Sequence, residues 1–343
     1  MNLSNPENID LHPIADTTDM IDQVPIIDIG GLVGDGNSTT ACEADEKIAA
    51  ASTSWGFFQV VNHGVEPGQI ENLWKQTRWF FDLSRDTKMR LIRGEDNPWG
   101  FYNNELTKNQ RDKKEVFDYT AKGTDPLYGG ENQWPDNSRE FRTTMLDWQE
   151  TCTRLSLTIL ESFCRGLGLP AKYLHPHFET NNTGFVRLNY YPVDDPMTGV
   201  GCAHQDIADL GVHHHTDAGA LTVLLQDRVG GLQVHRDGLW HNIPSVDGAL
   251  VINTGDMMQV WSNDIYQAAM HRVLAMEVTD RFSIPFFFNP EPECVVRPLP
   301  TVAKTAGSAL YNDIHWGYFR GQRSKGDYAD CGTEIQIAHY RKQ

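Results

Sequence analysis

The sequence predicts an α+β chain, helical in its first half and an antiparallel sandwich or jelly roll in its second. Three observations carry that expectation. A long stretch from about Arg139 to Arg165 repeats apolar residues every three or four positions (Phe141, Met145, Trp148, Cys152, Leu155, Ile159, Phe163), the signature of one buried helix face. After Phe185 the texture changes to eight short β-prone runs separated by Gly, Asp and Asn. No repeat or low-complexity linker parts the halves, so the 343 residues are expected to form one compact unit.

Taken in order, residues 1–23 carry five acidic side chains and no Lys or Arg, and read as a solvated leader with neither the basic start nor the apolar middle of a secretory signal. The portion 24–184 opens with "VPIIDIGGL", a short strand stopped by Gly30-Gly31, then a helix in "CEADEKIAAASTSW" and a strand in "GFFQVVNHGV". "PGQIENLWKQTRWFFDLS" follows as a helix with Pro67 near its start, where a missing N–H costs least. "GLGLP" stops the long 139–165 helix. The strand-rich portion 185–290 contains "FVRLNYYP", "ALTVLLQD", "GLQVHR", "LWHNI", "ALVINTGD", "MMQVWS", "AAMHRVLAM" and "RFSIPFFFN", with Asp237-Gly238 as a two-residue hairpin turn. Residues 291–343 form a C-terminal segment expected to close the site.

Composition narrows the function classes. Lys and Arg number 29 against 46 Asp and Glu, a formal charge of −17, which argues against nucleic acid or anionic membrane as a partner. No run reaches the ~20 apolar residues of a membrane span. The six cysteines are scattered without a Cys-x-x-Cys pair, which suits reduced thiols in the cytoplasm rather than a disulfide framework or zinc ribbon.

The chemistry is expected at "GVHHHTDAGALTVLLQD". If His215-Thr216-Asp217 begins a strand, residues two apart point to one face, and the imidazole and carboxylate converge. A further histidine from a neighbouring strand would complete the facial two-His, one-carboxylate set of non-heme Fe(II) oxygenases. His271, in "AAMHRVLAM", is the candidate. His213 and His214 compete with His215 on register alone, whereas His235 and His241, flanking the hairpin turn, read as solvent-facing. Arg281 and Ser283 are likewise two apart in a largely apolar run, where a guanidinium fork and a hydroxyl suit a carboxylate, and a buried Arg without an anion is costly.

In order along the chain, "VPIIDIGGL", "WGFFQVVNHGV", "RLNYYP", "HTDAGALTVLLQD", "GGLQV", "VINTGDMMQVWSN", "HRV" and "RFSIPFFFNP" resemble the Fe(II)/2-oxoglutarate-dependent dioxygenases of the isopenicillin-N-synthase-like type. The resemblance covers most of Val24 to Pro290. It implies a double-stranded β-helix (jelly-roll) core with N-terminal helices packed around it. It also implies Fe(II) held by His215, Asp217 and His271, with 2-oxoglutarate and O2 as cosubstrates and ascorbate as a candidate reductant. By the same resemblance Arg281 and Ser283 clamp the distal carboxylate of 2-oxoglutarate, Tyr191 assists there, Asn189 lies near its metal-binding end, and His63 belongs to a structural turn.

The expected reaction is oxidation, chiefly hydroxylation, of a C–H in a small organic molecule with release of succinate and CO2. The substrate residues implied are Tyr102, Asn104, Phe117, Trp316 and Phe319. The loop from 193 to 214 looks long for the family and adds His204, Asp206 and Asp209, either an exposed acidic loop or a lid. An Fe(II) oxidase of the same fold working without 2-oxoglutarate and a non-catalytic binding jelly roll are the rival readings.

Overall fold

The computed structural model describes residues 23–34, 39–94, 96–107, 110–124, 126–127, 129–197, 210–326, 328 and 332–342. His204, Asp206 and Asp209 of the long loop lie outside the described residues.

The first part of the chain supplies β1 (Ile26–Asp28), α1 (Gly30–Val33), α2 (Thr39–Ser54), β2 (Phe57–Val61), α3 (Pro67–Phe81) and α4 (Arg85–Met89). Strands β3 (Gly100–Tyr102), β4 (Leu106–Thr107), β5 (Gln110–Arg111) and β6 (Glu115–Tyr119) precede the long helix α5 (Arg139–Gly166). Then come β7 (Phe185–Tyr191), β8 (Leu210–His215), β9 (Leu221–Gln226), β10 (Leu232–Arg236), β11 (Leu239–Asn242) and β12 (Leu250–Thr254). A short helix α6 (Asp256–Trp261), β13 (His271–Leu274) and β14 (Arg281–Phe288) follow, then β15 (Val295–Val296), α7 (Pro300–Ala306), β16 (Ile314–His315) and α8 (Trp316–Lys325).

Two sheets face one another. The larger runs β1-β2-β12-β9-β14-β7-β6-β3, the smaller β11-β10-β13-β8. Every pairing in them is antiparallel except β1 with β2. Because side chains alternate along a strand, each strand of the large sheet divides its residues between two environments. Val186 and Leu188 of β7, Ile284 and Phe286 of β14, Val223 and Leu225 of β9 and Phe117 of β6 join one core with the buried stripe of α5. Fully burying side chains of this kind contributes about 1.5–3 kcal/mol each. The alternate residues, among them Tyr191, Leu224, Val251 and Phe57, meet Val212, Leu232, Val234 and Val273 of the small sheet in a second core. The functional cavity opens between the sheets on that second, inner face.

The Asp237-Gly238 hairpin forms as expected, with φ of 51° and 81° at the two turn residues and Arg236 opposite Leu239. Other expectations are corrected. "MMQVWS" is not a strand but lies in α6, buried on all sides, so its apolar run carries no period to separate helix from strand. His215 ends β8 instead of starting a strand, and Asp217 sits in the connection beyond it. His241 is buried against the edge of Trp55, its ring 5.1 Å away, rather than facing solvent.

Candidate metal and 2-oxoglutarate site

His215 leaves the small sheet at the end of β8, directly opposite His271 at the start of β13. Cross-strand pairing thus brings together two histidines 56 positions apart, with ring centroids 4.3 Å from each other. The chain then turns through Thr216 and places the Asp217 carboxylate beneath both rings. His215 Nε2 lies 3.6 Å and His271 Nε2 3.7 Å from the same oxygen, Asp217 Oδ1. Both separations are below twice a metal–ligand bond of about 2.1 Å. Among the described residues these three form the group able to hold a metal ion, their ligand atoms all within 4.8 Å of one another.

The surrounding bonds decide which atoms are left for a ligand. His215 Nδ1–H donates to the His213 carbonyl at 2.7 Å, and His271 Nδ1–H donates to the Ala269 carbonyl at 3.1 Å. A carbonyl accepts only, so both rings present a bare Nε2 lone pair to the centre. Asp217 Oδ2 accepts from Thr222 Oγ1 at 2.5 Å and from Asn253 Nδ2 at 2.8 Å, which turns Oδ1 inward. Burial and the neighbouring His271 push His215 down to about 3, so its imidazole is neutral at physiological pH. Burial alone would raise Asp217, but His271, His215 and the bonds from Thr222 and Asn253 outweigh it and hold the carboxyl below its usual range. The neutral His215 and the ionised Asp217 are in the protonation states a divalent cation requires.

The ligand loop is braced from behind. The Asp256 N–H donates to the Asp217 carbonyl at 2.7 Å, and a Cβ on Gly255 would stand 2.2 Å from the Gly219 carbonyl oxygen, so only glycine permits that approach. Arg323 of α8 donates to the Thr216 carbonyl at 2.8 Å and pairs with Glu334 at 3.1 Å, tying the C-terminal segment to the same loop.

Across the cavity, the rung Gln226–Ser283–Asn189 and the pair Arg281–Tyr191 form the end opposite the histidines, while Thr222 and Phe287 pair beside the cluster. Arg281 is 1% exposed, lies 4.9 Å over the Tyr191 ring, and offers only Nη2 a partner, Gln226 Oε1 at 3.5 Å. Its Nε and Nη1 have no partner at all. A buried, half-unsatisfied guanidinium is costly unless an anion completes it. Ser283 Oγ accepts from Asn189 Nδ2 at 3.3 Å and keeps its hydroxyl hydrogen for such a ligand. The donor set therefore fits a divalent metal at one end and a dicarboxylate reaching to Arg281 at the other.

The residues expected at the substrate fare differently. Phe117 is wholly buried against Phe80, Trp134 and Phe141, because it pairs with Leu188 and shares the helix-covered face of the sheet. Trp316 and Phe319 are also fully buried, Trp316 donating through Nε1 to Thr183 Oγ1 at 2.8 Å. All three are core residues and none lines the cavity. Tyr102 packs instead on Arg93 and Tyr328, and Asn104 is half-buried beside Glu105. The cavity wall is completed by Lys114 and Arg187, which sequence reasoning passed over together with Thr222 and Asn253. Asn253→Ala is expected to weaken Fe(II) affinity by about 10- to 100-fold with the fold retained, measured by anaerobic metal titration.

The comparisons with known proteins agree with this chemistry. Residues 182–290 match the 2OG-Fe(II) oxygenase superfamily, and residues 24–137 match the family described as non-haem dioxygenase in morphine synthesis N-terminal. The chain belongs to the 2OG-Fe(II) oxygenase superfamily and is a 2-oxoglutarate-dependent dioxygenase using Fe(II), 2-oxoglutarate and O2. It is 33% identical to feruloyl CoA ortho-hydroxylase 1 of Arabidopsis thaliana over 85% of this chain and 76% of that one. It is 32% identical to naringenin,2-oxoglutarate 3-dioxygenase of Callistephus chinensis, over 81% of this chain and 74% of the relative. The solved structure of JOX2 in complex with 2OG, Fe and JA superposes with a TM-score of 0.77 at 26% identity, covering 99% of this chain and 96% of that one. No helix among the described residues is long and apolar enough to cross a membrane.

Proposed function

We propose that His215, Asp217 and His271 hold Fe(II), that Arg281 and Ser283 bind the distal carboxylate of 2-oxoglutarate, and that the protein hydroxylates a C–H of a small organic molecule. The observation that carries this reading is one cavity with a two-His, one-carboxylate cluster at one end and an orphaned buried guanidinium at the other.

When bound, Fe(II) with 2-oxoglutarate and O2 supplies the oxidising power, the keto acid being converted to succinate and CO2. What the chain contributes is placement. The carbonyls of His213 and Ala269 fix both imidazole tautomers, and Thr222 and Asn253 fix the carboxylate. Arg281 sets the orientation of the keto acid along the cavity, with the Tyr191 ring beneath its guanidinium and Asn189 directing the Ser283 hydroxyl. The relatives that act on feruloyl CoA and naringenin support a small-molecule substrate. The unsatisfied Arg281 speaks against an oxidase that dispenses with the keto acid. A cytoplasmic setting suits the free thiols of Cys42, Cys152, Cys164 and Cys294, and ascorbate there would serve as reductant.

The test is anaerobic addition of Fe(II) and then 2-oxoglutarate to metal-free protein. The expected result is a visible metal-to-ligand charge-transfer band in wild type that is absent in His271→Ala. Stoichiometric iron binding without the band would sink the assignment of Arg281 and Ser283.

A further inference from the structure

Three cations sit on or beside the wall of the cavity that the metal cluster and Arg281 leave unused. Along the inner face of β7, positions 185, 187, 189 and 191 follow one another. Tyr191 and Asn189 belong to the 2-oxoglutarate end, while Phe185 and Arg187 continue towards the rung where Phe287 pairs with Thr222 beside the cluster. Arg187 lines the cavity and is held rigid by Asp118, which accepts from its Nε and Nη2, each at 2.8 Å. Lys114 lines it too, its side chain 4% exposed.

The acids that balance these two cations stand behind them. Lys114 Nζ meets Glu105 at 2.6 Å and Asp112 at 2.9 Å, and Glu105, Asp112 and Asp118 do not line the cavity. An ammonium has three donors, so one N–H of Lys114 is left without an acceptor among the described residues. Lys114 is securely charged: burial alone would lower it, but Asp112 and Glu105 more than compensate and hold it above its usual value. At the neighbouring rung Phe185 stacks on Phe287 at 4.7 Å, and Arg320 of α8 lies 5.0 Å over the Phe185 ring. Arg320 is half-buried and pairs with no carboxylate among the described residues.

Charge accounting shows what is missing. A divalent metal, Asp217, Arg281 and a dianionic keto acid balance to zero. Lys114 and Arg187 are matched by Glu105, Asp112 and Asp118, so what remains for a substrate is the spare N–H of Lys114 and, beside the cavity, the uncompensated charge of Arg320, in a chain whose formal net charge is −17. That local field opposes the global one, as a site built to draw in and hold an anion would require. Beside it Phe287 lines the cavity, with Phe185 stacked on it, and offers an apolar surface next to the metal cluster, where the reacting C–H must lie.

Building on the oxygenase reading above, we propose that the substrate is an organic carboxylate whose acid group is bound by Lys114 and Arg320 while its apolar body rests on Phe185 and Phe287. Arg187 acts as a positioning residue, held by Asp118 so that the wall keeps its shape.

The experiment uses the full chain loaded anaerobically with Fe(II) and 2-oxoglutarate. The probes are phenylacetate, cinnamate and dodecanoate, each beside its primary amide, and binding is read from the shift they cause in the charge-transfer band. At least one acid is expected to bind about 10- to 100-fold tighter than its amide, the loss a charge-assisted hydrogen bond entails. Arg320→Gln, at a half-buried position that tolerates the change, is expected to remove most of that preference while the 2-oxoglutarate titration keeps its midpoint. Lys114→Met is the second variant, and Arg320→Gln alone decides if it fails to fold. Amides binding as tightly as acids, no acid binding below about 1 mM, or an acid preference undiminished in Arg320→Gln would overturn the proposal. A wild-type protein without the band would instead overturn the site reading on which it rests.

Discussion

Asp217→Ala is expected to abolish turnover of 2-oxoglutarate, to less than about one-thousandth of wild type, while leaving a folded protein. The carboxylate is the hinge of the cluster, because both histidine Nε2 atoms converge on its Oδ1. Without it two imidazoles and no anionic ligand remain, a poor site for a hard divalent ion. The cost to the fold is small. Thr222 and Asn253 each lose an acceptor, at about 1–3 kcal/mol for a buried group left unsatisfied. In return, a carboxylate 7% exposed no longer has to be desolvated in the metal-free protein. Oxygen consumption with excess Fe(II), measured beside circular dichroism, separates the two effects. Retention of a tenth of wild-type turnover would show that another residue holds the metal.

Arg281→Met is expected to raise the 2-oxoglutarate KM by about 100-fold or more, roughly 3 kcal/mol of a bidentate charge-assisted pair. Its more telling consequence is in stability. In the ligand-free protein Arg281 Nε and Nη1 are buried without partners, so replacing them by an apolar chain of similar length relieves a cost. The variant without ligand is expected to melt no lower than wild type, and 2-oxoglutarate is expected to raise the melting temperature of wild type only. Thermal scans of both proteins, with and without the keto acid under anaerobic Mn(II), read this directly. A variant that melts well below wild type would mean that the guanidinium holds the sheet together rather than awaiting an anion.

Periodicity and turn chemistry made much of this legible beforehand. The stripe of α5 and the Asp237-Gly238 hairpin follow from spacing alone. Two-residue spacing points to the cluster but does not by itself build it. His215 and Asp217 meet because the chain turns after β8, and His271 faces His215 through strand pairing, a contact that no local spacing records. Parity was the harder matter. Within "KKEVFDY" every residue from Glu115 to Tyr119 is buried, so nothing local says that Phe117 faces the helices while Lys114 lines the cavity. Only the register with β7, Phe117 against Leu188 and Asp118 against Arg187, decides it. Trp316 and Phe319 failed in the same way, as large aromatics in a closing segment fit a pocket and a core equally well. Arg187 and Arg320 carried no signal of their own, since their significance lies in which acids stand behind them or are missing.

The alternation that misled the reading of Phe117 also separates two kinds of heredity in β7 and β14. Odd-numbered positions there, 187, 189 and 191 on one strand and 281, 283, 285 and 287 on the other, line the cavity. Even-numbered positions, such as Val186, Leu188, Ile284 and Phe286, meet the helices. The two sets are interleaved in the gene yet physically insulated by the thickness of a sheet. Drift at even positions is therefore filtered by folding and drift at odd positions by reactivity, almost independently. A single-codon deletion in either strand would exchange the two sets at once, so new specificities in this scaffold are reachable by substitution but not by slippage.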